Sequence, residues 1–122
     1  MATVRYLVAD VARSIEFYRR HLGFEVEQEM LPAFARVRLG DLTLWLAGPA
    51  SSAARAMPGG EQPKPGGWNR FVVEVDDLAG LVDRLRSEGA TFRNDIVSGP
   101  GGRQILLTDP DGNPIELFEA RR

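Results

Sequence analysis

The chain repeats one pattern twice, and this repeat constrains its fold more than any other feature. A shift of 67 positions superimposes an alternating apolar segment, an aspartate and a helically spaced apolar stripe on a second copy of the same three features. The first copy consists of Val4, Tyr6, Val8, Asp10, Val11, Ile15 and Tyr18, and the second of Phe71, Val73, Val75, Asp77, Leu78, Val82 and Leu85. Self-similarity of this kind predicts two copies of one supersecondary unit.

Each copy predicts a strand, a helix and about three further strands. The period-two alternation of residues 3–9 and 70–76 is typical of strands, and Asp10 and Asp77 are placed to cap the helices that follow. Gly23 and Gly89 mark the ends of the two helices. Further strands are predicted in the first copy over 24–30, 34–39 and 42–47, and in the second near 91–98, 103–108 and 114–119.

The predicted fold class is therefore α+β, built from paired βαβββ modules. Module one is assigned to residues 1–47 and module two to residues 68–122. Residues 48–67 lie between them, contain four of the eight prolines and have no periodicity, which predicts a linker or mobile loop. Two such modules can join their sheets edge to edge, with the helices on the outer face and a hollow lined by the opposite faces.

Composition excludes several classes of function. The absence of cysteine excludes disulfides, thiolate metal sites and cysteine nucleophiles, and the single histidine excludes sites built on several imidazoles of one chain. Nucleic-acid binding is not expected, because 15 dispersed basic residues are outnumbered by 17 acidic ones. No apolar run is long enough for a membrane span and no signal-peptide pattern is present, so we expect a cytoplasmic protein without a membrane partner.

Two motifs resemble the vicinal oxygen chelate superfamily, the group of glyoxalase I, extradiol dioxygenases and bleomycin-resistance proteins. The first is a strand that ends in Asp10, followed by a helix and loop that carry Ser14, Phe17, Tyr18, Leu22, Gly23 and Phe24. The second is the terminal segment DPDGNPIELFE, which begins at Asp109. The similarity covers essentially the whole chain. It implies a U-shaped mixed sheet around a ligand chamber, and a homodimer.

The same resemblance identifies the positions that hold a divalent metal in metal-dependent members, where His, Gln or Glu side chains point into the hollow. In this sequence they are Thr3, Leu44, Arg70 and Glu116. Leucine has no donor atom, and arginine remains protonated and repels a cation. Only Glu116 matches a ligand position of the family, so we expect no divalent metal and no other cofactor. The lone His21 is expected to face solvent near the end of the first helix.

Strand alternation predicts which side chains line the hollow. Arg5 is expected beside Thr3, and Glu74 beside Arg70, with the leucines of the fourth strand facing the same way and Trp45 assigned to the core. The ligand-binding candidates are Arg5, Leu44, Trp68, Arg70, Glu74, Glu116 and Phe118.

Several of these candidates have a purely structural alternative. Arg70 and Glu116 could form an ion pair that replaces the metal. Trp68 could pack the linker against the sheet instead of stacking on a planar ligand. Arg5 could lie on the surface or pair across a dimer, and Glu74 could be an exposed carboxylate.

Three functions remain open. The favoured one is metal-free binding of a small planar or amphipathic molecule, for sequestration of an antibiotic or metabolite, rather than catalysis. The alternative is a lyase, isomerase or dioxygenase of the same superfamily, either metal-free with Glu74 or Glu116 as the catalytic base or with a non-standard metal site. The third is a non-catalytic protein-interaction module, which no specific sequence feature favours.

Overall fold

The computed structural model describes residues 2–121, which form an α+β fold of two helices and two mixed β-sheets. The chain divides into two units, of which the first ends at Gly66 and the second begins at Gly67. Residues 1 and 122, the outer limits of the two predicted modules, lie outside the described residues. Neither helix in the described part of the chain is long and apolar enough to cross a membrane. The α+β class predicted from the repeat is confirmed, whereas a joint chamber stays a prediction.

The first unit has the predicted βαβββ order. Its sheet has the strand order β1-β4-β3-β2, in which β4 is parallel to β1 and antiparallel to β3. A parallel pair needs a crossover connection, and the helix and two strands between β1 and β4 provide it. The elements are β1 (Ala2–Leu7), α1 (Val11–Leu22), β2 (Glu25–Met30), β3 (Phe34–Leu39) and β4 (Leu42–Ala47).

Local chemistry fixes both ends of α1. The side chain of Asp10 accepts a hydrogen bond from the backbone N–H of Arg13 at 3.2 Å, as a helix N-cap does. Gly23 ends the helix with φ of 76°, a left-handed conformation that favours glycine. The apolar stripe of α1 packs on β3 and β4, and the core beneath it consists of Tyr6, Ala35, Val37, Leu44 and Leu46.

The second unit repeats this order with one difference. Its strands are arranged as β5-β9-β8-β6, and β7 also pairs with β8. The strand predicted near 91–98 is divided in two, because the side-chain oxygen of Asn94 accepts the hydrogen bond of the Leu106 N–H at 2.9 Å in place of a backbone carbonyl. The elements are β5 (Val72–Glu74), α2 (Leu78–Ser87), β6 (Thr91–Phe92), β7 (Val97–Gly99), β8 (Gly102–Thr108) and β9 (Pro114–Ala120).

The predicted linker begins with a tightly packed connection. The N–H of Gly48 donates to the carbonyl of Ala33 at 2.8 Å. A side chain at Gly48 would lie 2.8 Å from the carbonyl oxygen of Pro32 and 2.8 Å from Val11, so the close approach requires glycine. A short 3-10 turn at Ser52–Ala54 follows, and the rest of the segment has no regular structure.

Candidate functional site

The sheet of the second unit carries its polar candidates on the face opposite its core. In β9, Ile115 and Leu117 are fully buried among the core residues, and the alternation of a strand turns Glu116 and Phe118 to the other face. Glu116 is itself buried, with an exposed fraction of 9%. A carboxylate in such a place needs a partner, because burial of an unpaired charge is unfavourable.

Arg70 is the partner of Glu116. Its guanidinium donates to one carboxylate oxygen of Glu116 from Nε at 3.1 Å and from Nη2 at 2.8 Å. The third nitrogen, Nη1, donates to the backbone carbonyl of Trp68 at 3.2 Å. The ion pair that the sequence offered as an alternative to ligand contacts is therefore present, and each group neutralises the charge of the other.

Trp68 and Glu74 lie at exposed positions of the second unit. Trp68 is 68% exposed, and the guanidinium of Arg93 stacks 4.4 Å from the centroid of its ring. Glu74 lies on the edge strand β5, directly opposite Phe118, and is exposed to solvent. Glu74 therefore lacks the burial on which its candidacy as a general base depended.

In the first unit, the register between β1 and β4 decides which side chains share a face. Arg5 lies opposite Trp45, whereas Leu44 lies opposite Val4. Leu44 is fully buried on the side of the sheet that α1 covers, together with Tyr6. The prediction that Leu44 lines a hollow beside Arg5 is therefore wrong, and so is the assignment of Trp45 to the core beneath the helix. The physical reason is that the leucines of β4 are the residues that fill this core.

Trp45 lies between two arginines on the face that carries Arg5. Arg36 of β3 pairs directly with Trp45. The guanidinium carbons of Arg5 and Arg36 are 4.9 Å and 6.0 Å from the centroid of the Trp45 ring. Phe34 meets the same ring edge-on, with the centroids 5.7 Å apart. Trp45 Nε1 and Arg36 Nε are buried, and neither has a hydrogen-bond partner among residues 2–121.

Arg36 is a candidate that the sequence reasoning missed. The alternation of β3 contained the signal, since Ala35 and Val37 are the fully buried positions and Phe34 and Arg36 belong to the other face. This alternation assigns Arg36 to the same face as Trp45 once the register of β3 against β4 is known.

The strand registers also correct the set of family metal positions. Glu116 lies opposite Val72, and Val72 corresponds to Arg5 in the repeat. Since Arg5 lies opposite Trp45, the counterpart of Glu116 in the first module is Trp45 and not Leu44.

The corrected donor set of Thr3, Trp45, Arg70 and Glu116 does not fit a divalent metal. The indole N–H is a donor only, the guanidinium is a cation, and Arg70 already occupies an oxygen of Glu116. No group of three His, Cys, Asp or Glu side chains within residues 2–121 is arranged to hold a metal ion. His21 packs edge-on against the ring of Phe17, with the centroids 5.0 Å apart.

The first unit also contains a pocket and the second unit contains at least two, and none of these three is lined by a predicted site residue. One of about 570 Å³ in the first unit is largely apolar and is lined by Ala9, Asp10, Val11, Ala12, Leu31, Pro32, Pro49 and Ala50. One of about 400 Å³ in the second unit is lined by Asp76, Ser98, Gly102, Arg103, Glu119, Ala120 and Arg121. The candidate residues therefore lie on the sheet face of each unit and not in these pockets.

Comparison with curated proteins finds a relative of greater length. The protein named "Putative glyoxylase CFP32" from Mycobacterium bovis is 28% identical over 115 residues, which are 93% of this chain and 42% of that protein. The chain thus spans less than half the length of this relative.

Comparison with solved structures finds the same fold over nearly the whole chain. A member of the glyoxalase/bleomycin resistance protein/dioxygenase superfamily from Sphaerobacter thermophilus is 26% identical with a TM-score of 0.78, covering 98% of this chain and 95% of that one. TnmS3, an antibiotic binding protein from Streptomyces sp. CB03234, is 24% identical with a TM-score of 0.74, covering 98% and 93%.

The family comparison agrees with the motifs, the repeat and the sheet topology. The model of the Glyoxalase/Bleomycin resistance protein/Dioxygenase superfamily matches residues 1–117. This match includes module one, module two as far as Leu117, and most of the terminal motif that begins at Asp109. The chain therefore belongs to the Glyoxalase/Bleomycin resistance protein/Dioxygenase superfamily.

Proposed function

We propose that this protein binds a small planar or amphipathic organic molecule without a metal ion, as a resistance or sequestration protein does. The observation that carries the proposal is the ion pair of Arg70 and Glu116, which stands at two family metal positions. The guanidinium repels a second cation. It also occupies one oxygen of Glu116, the one carboxylate among these positions.

The side chains on the two sheet faces fit an organic ligand. Sites for small molecules combine apolar and aromatic surface with a few polar groups that orient the ligand. The face of the first unit offers the rings of Trp45 and Phe34, with Arg5 beside them. The face of the second unit offers Leu106, which the register places opposite Glu116, and Phe118, two residues beyond Glu116 on β9.

The fold is compatible with sequestration, because TnmS3, an antibiotic binding protein, shares it. At 24% identity this likeness shows the fold alone. The proposal therefore rests on the residues of this chain.

Calorimetry and thermal unfolding on the purified chain test the proposal. The protein is treated with EDTA, and a panel of aromatic natural products is titrated before and after addition of Zn²⁺, Ni²⁺, Mn²⁺ or Fe²⁺. We expect at least one ligand to bind with the same Kd in the presence and absence of metal, and to be recovered unchanged by mass spectrometry. One tightly held metal ion per chain, a metal-dependent rise in Tm, or turnover of the ligand would contradict the proposal.

The enzymatic alternative is favoured by one observation, the glyoxylase name of a relative that is 28% identical to this chain. A lyase, isomerase or dioxygenase would use Glu116 or Glu74 as a base, or a non-standard metal site. Glu116→Gln and Glu74→Gln separate these cases, since a catalytic base is required for turnover and not for binding. Loss of product formation with retained binding in either variant would establish the alternative.

The proposal includes a cytoplasmic homodimer, which the superfamily resemblance implies. Light scattering of the purified chain measures the oligomeric state directly. A mass that stays at 13.5 kDa over the accessible concentration range would exclude the dimer.

A further inference from the structure

We infer that the sheet face of the first unit is a binding site for an amphipathic organic anion, with Arg5, Arg36 and Trp45 as the residues that take its anionic group. The inference rests on the proposed function and adds the charge and polarity of the ligand. Below, the arginine–tryptophan row denotes Arg5, Trp45 and Arg36, which lie side by side on β1, β4 and β3.

The arginine–tryptophan row concentrates positive charge that the described residues do not neutralise. The guanidinium groups of Arg5 and Arg36 both lie within 6.0 Å of the centroid of the Trp45 ring. Both guanidinium groups contact this ring, and within residues 2–121 no carboxylate pairs with either of them. The neighbouring Arg38, by contrast, has Glu27 at 3.6 Å. Two cations on one aromatic ring attract an anion.

The same row holds two buried hydrogen-bond donors without acceptors. Trp45 Nε1 and Arg36 Nε are both shielded from solvent and unpartnered among the described residues. A buried donor without an acceptor is unfavourable, and most native structures avoid it. Because the two side chains lie directly opposite each other on adjacent strands, they fit a group with two acceptor oxygens, such as a carboxylate or sulfonate.

The next row of the same face is apolar. The register places Leu7, Ala47, Phe34 and Met30 side by side on the four strands, in that order. Met30 is 57% exposed, and Phe34 packs against Trp45. An apolar row beside a cationic row matches a ligand with an apolar or aromatic body and an anionic end.

Three naphthalene probes of similar shape test the inference on the purified chain by calorimetry. They are 2-naphthoate, 2-naphthalenesulfonate and the neutral 2-naphthalenemethanol. We expect both anions to bind at least about tenfold more tightly than the alcohol, since hydrogen bonds to charged groups are the stronger class. Inorganic phosphate, which has no apolar body, is expected to bind more weakly than either anion.

Substitutions assign the effect to the arginine–tryptophan row. Arg36→Gln and Arg5→Gln are expected to weaken 2-naphthoate about tenfold or more, while the affinity for the alcohol stays within about twofold. Trp45→Phe retains an aromatic ring and removes the N–H, so it is expected to weaken the anions and spare the alcohol. The matched control is Arg20→Gln, which removes the same charge from an exposed position on α1 and is expected to leave all affinities unchanged.

Far-ultraviolet circular dichroism confirms that each variant is folded, and Arg36→Lys replaces Arg36→Gln if the latter does not fold. Equal affinity for the anions and the alcohol, or anion binding that neither arginine substitution changes, overturns the inference and leaves the metal-free binding function intact. Failure of all three probes to bind also overturns it. The natural-product panel with and without metal then decides the proposed function separately.

Discussion

At equivalent positions of their sheets, the two modules carry side chains of opposite charge. Three adjacent strands contribute one residue each to the row, which is Arg5, Trp45 and Arg36 in the first module and Val72, Glu116 and Leu106 in the second. In the second module the carboxylate is neutralised by Arg70 at 2.8 Å. In the first module two guanidinium groups share one aromatic ring.

The difference indicates a division of roles within a duplicated fold. A charge that is paired and hydrogen-bonded within the module can contribute to folding. Charges and buried donors that stay unpaired oppose folding, and natural proteins tolerate such violations chiefly at functional sites. We therefore expect substitutions on the row of the second module to lower the free energy of unfolding, and substitutions on the row of the first module to lower affinity.

The largest expected effect concerns the turns that lead into the last strand of each module. Asp109 is buried, and its carboxylate accepts hydrogen bonds from the N–H groups of Asp111 and Asn113 and from the Asn113 amide, each at 2.9 Å. Asp109→Ala is expected to lower the free energy of unfolding by about 3 kcal/mol, because these bonds to a charged acceptor are lost together.

The matched control is Asp41→Ala in the turn before β4, where Asp41 is exposed. It is expected to change the free energy of unfolding by less than about 0.5 kcal/mol. Urea denaturation followed by circular dichroism measures both variants. Equal effects would show that the two turns stabilise their modules alike.

The next effect separates the two rows by the sign of a coupling energy. A double-mutant cycle with Arg70→Gln and Glu116→Gln is expected to give a stabilising coupling of about 1–2 kcal/mol, since the pair is part-buried and removal of one charge leaves the other unpaired. The cycle with Arg5→Gln and Arg36→Gln is expected to give a destabilising coupling of at most about 0.5 kcal/mol, because like charges repel. Couplings of the same sign would remove the contrast between the rows.

Local sequence patterns were sufficient for both helices and for most of the strands. The alternation of residues 3–9 and 70–76, together with the capping positions Asp10 and Asp77, predicts both helices at their observed starts. The pair of Arg70 and Glu116 came instead from the family resemblance, which identified both residues as occupants of metal positions.

The face of β4 could not be found in this way. Its apolar residues fall on both faces, as Leu44 and Trp45 illustrate, so periodicity alone does not say which face α1 covers. The register against β1, which is a contact between residues 40 positions apart, decides it. An error of one residue exchanges the two faces of a strand. For this reason the sequence alone did not identify Trp45 on β4 as a site residue, nor its cross-strand neighbour Arg36 on β3.

A smaller effect, of the opposite sign, is expected at Arg36. Arg36→Leu removes a buried Nε without a partner and adds apolar contact with Trp45, so the free energy of unfolding is expected to rise by about 0.5–1 kcal/mol. Arg38→Leu on the same strand is the control, since Glu27 lies 3.6 Å from Arg38 and no gain is expected. A variant of Arg36 that is less stable than the parent would assign Arg36 a structural role.

The smallest difference between the two modules is expected at the starts of their helices. Asp10 is the capping carboxylate of α1, whereas α2 has two: Asp77 accepts from the N–H of Gly80 at 3.1 Å, and Glu119 accepts from the N–H of Leu78 at 2.8 Å. Asp10→Ala is expected to lower the free energy of unfolding by about 1 kcal/mol, and Asp77→Ala by about half as much, because Glu119 continues to satisfy one N–H. Urea denaturation of both variants, of Glu119→Ala and of the double variant Asp77→Ala/Glu119→Ala tests this, and the double variant is expected to lose more than the sum of its two single variants. An Asp77→Ala effect as large as that of Asp10→Ala would show that Glu119 does not share the capping of α2.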